Sequence, residues 1–504
     1  MSKSHILSES EEKPSSPEND ISKSMGSTVV KGAAWGTLAT IARISSALLV
    51  LPVLARYLLP EEFGIVQIGM PVVLFLMLFN DFGFGPALVR AKSVTNNAWS
   101  SVFWVNISIG ILMTITMYAM SGPIANWYKV PEAKPILEAL SLILVLSCVT
   151  ITPAAMLQRK MRFDILSMTE VISIGAGICV AFYGAINGYG AWALVGQQVT
   201  MFALKAVFML ALSFPPVSFV IDRGELKSLL GFSSHMMASR VLNFFSRNID
   251  NIVIGRVLGA AALGYYSIAY RILLLPVEVF AWGLSQVLMP AMSKFQDDKG
   301  RMRAATLRTY RLISVFTFPL MAGISILAEP IIVFFLGERM ANAAIVLQII
   351  APVGAIQSIT STQGAMYMAL GRADILSKLS LLGLIAMTIS TLIGAQWGLV
   401  GISWAYLILV VVMTPLTFLP LFKLLEMPIS TAFNAIKTPL ISTLIMTAIL
   451  VAIHLQTPVG NVSNFVKLLI LVPIGGIIYI ASAAILDRPI VKEVFGLVDE
   501  IRKK

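Results

Sequence analysis

From Val29 to Leu486 the sequence is a near-continuous succession of apolar stretches, each about 20 residues long and joined by short polar connections. A stretch of that length crosses the hydrocarbon core of a bilayer as one helix. Lipid offers no hydrogen bonds, so a spanning chain must pair its own backbone groups, as helices or as a closed barrel. Barrel strands would alternate apolar and polar residues, and these runs do not. The fold expected is an all-α polytopic membrane protein of about fourteen transmembrane helices, the first near 31–56 and the last near 465–486. Only 12% of the residues are charged, against about 25% in a chain that must cover itself with water-facing groups.

The net charge of +11 would suggest nucleic acid in a soluble domain. Here the basic residues lie in short connections and at scattered positions inside spans, with no aromatic-basic surface module, so nucleic acid is not an expected partner. With the N-terminus inside, the inside connections and C-terminal tail carry eighteen Lys and Arg and the outside connections five, namely Arg56, Lys129, Lys134, Arg256 and Arg339. That asymmetry predicts N-in and C-in. Residues 1–28 are rich in Ser, Pro and acidic residues and are expected to form a disordered cytoplasmic tail.

Internal similarity gives the spans an order. Arg56 to Gly64, at the end of span 1, returns 200 residues later as Arg256 to Gly264 at the end of span 7. Arg162-Phe-Asp164-Ile-Leu recurs as Arg372-Ala-Asp374-Ile-Leu, and Trp192-Ala193 as Trp404-Ala405. The growing offset suggests one insertion, placed in a charged loop around residues 294–305. Two parallel-repeat six-helix lobes are expected, at 29–214 and 229–422, joined by a cytoplasmic linker at 215–228. Two further helices fill 423–486 and a cytoplasmic tail 487–504. Repeats of this kind build alternating-access transporters with a site between the halves.

A charge deep in a bilayer costs at least about 2.5 to 3.5 kcal/mol on insertion scales, so each one needs a partner, a cavity or a function. Span 1 carries Arg43, span 2 Asp81, span 5 Glu170, span 6 Lys205, span 7 Arg240, Arg247 and Asp250, and span 8 Arg271 and Glu278. Arg240 and Arg247 are two turns apart on one helical face, with Asp250 close to it. One reading is an internal network that ties helices together, Arg247 with Asp250 and Arg271 with Glu278. The functional reading is a cationic cavity in which Arg43, Arg240, Arg247 and Arg271 bind an anionic substrate. A guanidinium suits that task because its planar fork holds two phosphate or carboxylate oxygens at once. Arg43 and Arg240 favour this reading, since neither has an opposite charge three or four residues away. Asp81, Glu170, Asp250 and Glu278 are the candidates for proton or sodium coupling.

The sequence contains no Gly-rich segment ending in Gly-Lys-Ser/Thr, so ATP hydrolysis by a P-loop is excluded. His235 and His454 have no partner at metal-ligand spacing, and Cys148 and Cys179 read as packed thiols. No outside connection is long enough for a catalytic domain, so an enzyme is not expected.

Several segments resemble one family: Lys31-Gly-Ala-Ala-Trp35, Arg56-Tyr-Leu-Leu-Pro-Glu-Glu-Phe-Gly64, Asp81-Phe-Gly-Phe-Gly-Pro-Ala-Leu-Val-Arg90, Gln158-Arg-Lys-Met-Arg-Phe-Asp164 and Asn248-Ile-Asp250-Asn-Ile-Val-Ile-Gly-Arg256 followed by Leu263-Gly-Tyr-Tyr266. Over about residues 30–430 the chain resembles the polysaccharide transporters of the multidrug, oligosaccharidyl-lipid and polysaccharide exporter superfamily. The resemblance implies a flippase that moves undecaprenyl-diphosphate-linked oligosaccharide repeat units across the bacterial cytoplasmic (inner) membrane. The units would serve exopolysaccharide of a colanic-acid-like kind or O-antigen. It further implies no cofactor, coupling to H+ or Na+, and polysaccharide polymerase and chain-length machinery as partners. The rivals are a multidrug exporter of the same fold, which would favour carboxylates over arginines, and a membrane polysaccharide polymerase or ligase, which would need a large outside loop.

Overall fold

A computed structural model describes residues 35–36, 40, 42–46, 49–80, 84–216, 218, 224, 234–282, 292, 298–456 and 463–489, of which 234–240, 281–282 and 454–456 are described by backbone alone. The tail 1–28, Asp81, most of the linker 215–228 and the end of the tail 487–504 fall outside the described residues, as does the side chain of Arg240.

Among the described residues all regular structure is helical. Residues 49–57 are helical and lead into α1 (Pro60–Met77), α2 (Phe84–Arg90), α3 (Asn96–Tyr128), α4 (Ala133–Arg159), α5 (Phe163–Ile186) and α6 (Ala191–Leu212). The second half comprises α7 (Ser234–Val257), α8 (Ala260–Val277), α9 (Lys299–Ile326), α10 (Ala328–Leu336), α11 (Asn342–Thr360), α12 (Gln363–Ala369), α13 (Ala373–Gly394) and α14 (Gly398–Leu424). The chain continues in α15 (Ile429–Gln456) and α16 (Asn464–Leu486). Eleven stretches of the described residues are long and apolar enough to cross a bilayer, and one of them, Ala373–Leu424, holds both α13 and α14.

Several boundaries differ from the sequence expectation, each for a local reason. The apolar stretch that follows Pro60 is two helices, α1 and α2. Pro60 starts α1 at its first position, where a missing N–H costs nothing, and Glu62 Oε2 accepts from Leu59 N at 2.7 Å. The charged loop expected around 294–305 is helical from Lys299 onward, because the Asp298 carboxylate accepts from Arg301 N at 3.0 Å and caps α9. The first turns of α9 therefore take up residues expected to be loop. Lys299 and Arg303 reach back to Glu426 in the turn before α15.

The internal repeat reappears as repeated atomic geometry. After α4, Met161 adopts a left-handed φ of 55° and Arg162 N donates to Leu157 O at 2.9 Å; after α12, Gly371 has φ 69° and Arg372 N donates to Tyr367 O at 2.8 Å. Both turns close as the same helix C-terminal motif. In each, the arginine that follows pairs with an aspartate two residues on, Arg162 with Asp164 and Arg372 with Asp374. The hairpins beyond match as well, since Gly184 abuts Ala193 and Gly394 abuts Ala405.

Packing joins the two halves. The largest buried apolar cluster runs from Leu54, Leu58 and Ile68 through Leu137 and Leu144 to Leu263, Tyr266, Ile332 and Leu347. α1 packs along α8, α3 on α4, α5 on α6, α13 on α14, and α9 on both α11 and α15. The last two helices attach to the second half through Leu327, Met446, Leu450, Leu471 and Tyr479, whose hydroxyl donates to Val315 O at 2.9 Å. Large apolar side chains such as Leu112, Ile408, Leu469 and Ile477 face outward, as a lipid-embedded surface requires.

Candidate functional site

The sequence repeat that ends at Gly64 and Gly264 becomes a reciprocal contact between α1 and α8. A methyl group at Gly264 would overlap the Pro60 carbonyl oxygen and lie 2.7 Å from its carbon. One at Gly64 would overlap the Ala260 carbonyl oxygen and lie 2.5 Å from its carbon. Each helix thus sets its first-turn carbonyl against the glycine of the other, which only glycine allows at that separation. Around this seam Arg56 donates to Phe334 O at 3.0 Å and Arg339 to Tyr57 O at 3.4 Å, so each half supplies an arginine to a carbonyl of the other. Arg256 lies over the Trp127 ring, 5.5 Å from its centroid. Counted in the sequence as outside-facing topological charges, Arg56, Arg256 and Arg339 instead make contacts between the halves. Below the seam, Phe75 of α1 packs its ring against Phe244 and Phe245 of α7, at 5.5 and 5.4 Å.

Behind the seam lies a charge cluster drawn from both halves. Arg43 Nε donates to Glu170 Oε1 at 3.1 Å, and the same carboxylate takes Lys205 Nζ at 3.8 Å on its other oxygen. Arg43 therefore has an acidic partner, 127 residues away and invisible to a search for charges one turn along the helix. Its side chain remains 64% exposed, so the pair does not use up the guanidinium. Glu278 of the second half lies within electrostatic reach of both Arg43 and Arg271. Arg271 is exposed. At Glu278 α8 changes into a short π-helix, Glu278–Trp282, a local widening common at functional positions.

Asp250 and Arg247 belong to a different compartment. A polar cavity of about 590 Å³ opens among α7, α8, α11, α13 and α14, lined by Arg247, Asn248, Asp250, Asn251, Tyr270, Gln357 and Tyr406, with Ser and Thr hydroxyls between them. Asp250 is buried, accepting from Tyr266 Oη at 2.9 Å and from Asn251 N at 2.8 Å. Two hydrogen bonds offset much of the penalty of burying a polar group there. Gln357 Nε2 donates to Tyr406 Oη at 2.8 Å and reaches Tyr270 Oη at 3.4 Å, and Tyr266 and Tyr270 stack at 5.9 Å. Sequence reasoning named Arg247 and Asp250 but missed Tyr266, Tyr270, Gln357 and Tyr406, since uncharged polar residues in a span give no insertion signal comparable to a charge. Arg43, Glu170, Arg271 and Glu278 are thus gathered together, while Arg247 and Asp250 stand apart from them across α8.

An apolar groove of about 510 Å³ runs between α9, α15 and α16. It begins at Phe280, whose ring stacks on Phe316 at 5.3 Å, and continues past Leu320 to Met446 and Leu471.

The sequence model of polysaccharide biosynthesis proteins matches residues 53–345, more than half of the chain. The chain belongs to this family. Within it, the chain is 27% identical to the succinoglycan biosynthesis transport protein ExoT of Rhizobium meliloti, over 93% of this chain and 95% of that one. It is 27% identical to the teichuronic acid biosynthesis protein TuaB of Bacillus subtilis, over 90% and 94%. It is 23% identical to the lipopolysaccharide biosynthesis protein WzxC of Escherichia coli, over 79% and 82%. Among solved structures, the lipid II flippase MurJ in an inward closed conformation superposes with a TM-score of 0.72 at 19% identity, covering 90% of this chain and all of that one. An inward-facing multidrug resistance MATE family transporter gives 0.62 at 14% identity, over 76% and 96%. These likenesses establish the fold the family member shares: an all-helical, multi-pass membrane protein of the MurJ and MATE kind.

Proposed function

We propose that the chain is a flippase that carries undecaprenyl-diphosphate-linked oligosaccharide units from the inner to the outer face of the bacterial cytoplasmic membrane by alternating access, with both termini inside. The observation that carries this reading is the pairing of a closed glycine seam with a charge cluster built behind it from both halves. A site shared by two repeated halves changes its access when the halves rock, and the seam is where that rocking must break contact.

The chemistry of the compartments fits an amphiphile with an anionic link. Arg43 and Arg271 hold the diphosphate, whose oxygens match guanidinium forks; the groove of α9, α15 and α16 accepts the prenyl chain; and the cavity beyond α8, with Arg247 at its wall, faces the saccharide. Arg240 continues the same stripe of α7 one heptad earlier. Glu170 is held between Arg43 and Lys205, so proton or sodium coupling is assigned to Glu278 and Asp250, with Asp81 as the further candidate. The polysaccharide polymerase and chain-length machinery are the partners this role would serve. The relatives named for succinoglycan transport and for lipopolysaccharide and teichuronic acid biosynthesis support this substrate class over a drug.

Deletion of the gene tests the reading directly. Loss of a surface polysaccharide, with its lipid-linked unit accumulating on the inner face, is the expected result. Intact polysaccharide together with raised drug sensitivity would reverse it in favour of multidrug export.

A further inference from the structure

Glu170 and Lys205 meet at one depth of the bilayer. α5 and α6 pack as a hairpin, so the start of one and the end of the other lie on the same side. Glu170 stands seven residues in from Phe163, and Lys205 seven residues in from Leu212. At 1.5 Å per residue that is about 10 Å into the span, where a charge needs a partner. Arg43, in the helical residues 42–46, comes to the same carboxylate from a third segment. One anion thus serves two cations.

It serves them unequally. Arg43 donates to Glu170 Oε1 from both Nε and Nη2, yet the guanidinium stays largely exposed and its Nη1 finds no acceptor among the described residues. Lys205 Nζ lies 3.8 Å from Oε2, beyond hydrogen-bonding distance, and meets no other acceptor among the described residues, although its side chain is 33% exposed. An ammonium has three N–H donors to place. A pair whose whole task was to tie two helices would close to about 2.7 to 2.9 Å, as Arg311 and Asp487 do at 2.7 Å. Lys205 therefore has donors to spare for a second anion.

Glu170 matters most when no such anion is present. An alternating-access carrier changes orientation both loaded and empty. Each time the empty site closes off from water, Arg43 and Lys205 would be left as two cations without a counter-ion, which the bilayer interior penalises. The two oxygens of Glu170 lie between them much as two phosphate oxygens would, since carboxylate and phosphate offer similar paired acceptors.

Resting on the flippase reading above, we propose that Glu170 is a tethered counter-anion: it occupies Arg43 and Lys205 while the carrier is empty and is displaced by the diphosphate of the lipid, which makes Lys205 a further ligand of that diphosphate beside Arg43 and Arg271. The displaced carboxylate, 23% exposed, turns to water.

The test uses the full-length protein in nanodiscs and two probes, undecaprenyl diphosphate and the uncharged alcohol undecaprenol. Glu170→Gln removes the competing charge and keeps the shape, so it should bind the diphosphate about 10-fold tighter than wild type, with undecaprenol unchanged. In cells the same variant should export polysaccharide at least several-fold more slowly, because its empty site is no longer neutralised and its cargo leaves late. Lys205→Gln should bind the diphosphate about 10-fold more weakly, and Lys205→Arg should recover most of that loss. Glu170→Asp, shorter by one methylene, is the second variant should Glu170→Gln fold poorly, and it should shift binding in the same direction. A glutamate that only holds helices together gives the opposite sign, so equal or weaker diphosphate binding in both Glu170 variants overturns the proposal. Unchanged diphosphate affinity in Lys205→Gln overturns it too, as does wild-type export by a tighter-binding Glu170→Gln. If wild type binds the diphosphate no better than undecaprenol, the flippase reading falls as well; if wild type prefers the diphosphate and the variants leave that preference unmoved, the counter-anion alone is lost.

Discussion

Adding one methyl group at Gly264 should jam the seam between α1 and α8. In Gly264→Ala the new carbon would lie 2.7 Å from the Pro60 carbonyl carbon and overlap its oxygen. Ordinary carbon contacts lie at about 3.5 to 4.0 Å, so the helices must part by roughly 1 Å, and no flexible side chain is available to absorb the shift. Overpacking of this kind costs about 1 to 3 kcal/mol. The whole penalty falls on the closed arrangement, because the contact is lost once the halves separate. At 1.4 kcal/mol per tenfold change, the closed-to-open ratio should fall by about 5- to 140-fold. Gly64→Ala should behave alike, and the double variant should cost little more than either single one, because one separation makes room for both methyl groups. The assay is alkylation of Ser267→Cys, one turn inside Gly264, by an impermeant maleimide added from outside, in a background with the exposed Cys179 replaced by Ala. Labelling should rise at least several-fold in each variant while the melting temperature of the folded protein changes little. Unchanged labelling with full export, or additive effects in the double variant, would refute the reciprocal closure.

Arg56→Ala combined with Arg339→Ala removes both cross-half arginine bonds and should raise Ser267→Cys labelling in the same direction as the glycine variants, though less, since neutral carbonyls are the partners. Arg43→Ala should abolish export while lowering stability by less than about 1 kcal/mol, because the residue is largely exposed; an export-competent Arg43→Ala would remove it from the site. Tyr266→Phe takes away one of the two donors to buried Asp250 and should destabilise the protein by about 1 to 3 kcal/mol, read from denaturant or thermal unfolding against Tyr265→Phe as a control. Lys299 bonded to Glu426 holds that carboxyl below the usual glutamate range. The contact should therefore persist at neutral pH and be lost as pH falls through that lowered value, which hydrogen exchange at the start of α9 would detect; Glu426→Gln should remove the pH dependence.

The resemblance to a transporter family was readable because its motifs coincide with structural necessities. Asp250 sits where a buried carboxylate needs Tyr266, and the motif that contains one is followed by the other. Pairings across the chain were not readable. Arg43 looked solitary because the only distances a sequence supplies are along one helix, whereas Glu170 and Lys205 reach it from α5 and α6. The expected pairing of Arg247 with Asp250 is replaced, for the carboxylate, by a phenol from α8 and the Asn251 backbone.

The sequence alone determined that the chain is a helical membrane protein with repeated halves. Lipid leaves the backbone no partner but itself, so apolar length is enough to dictate helices, and the matched Arg-to-Gly and Arg-x-Asp segments carry the repeat. It also placed Gly64 and Gly264 at equivalent ends. Only the tertiary structure decided that these glycines face each other's helix, that arginines from each half tie the seam, and that Arg43 meets Glu170 while Arg247 and Asp250 line a cavity of their own. The physical reason is that membrane insertion is governed by each segment's own composition. The rotation of a helix about its axis, which decides what each side chain meets, is set by close packing against neighbours distant in the sequence.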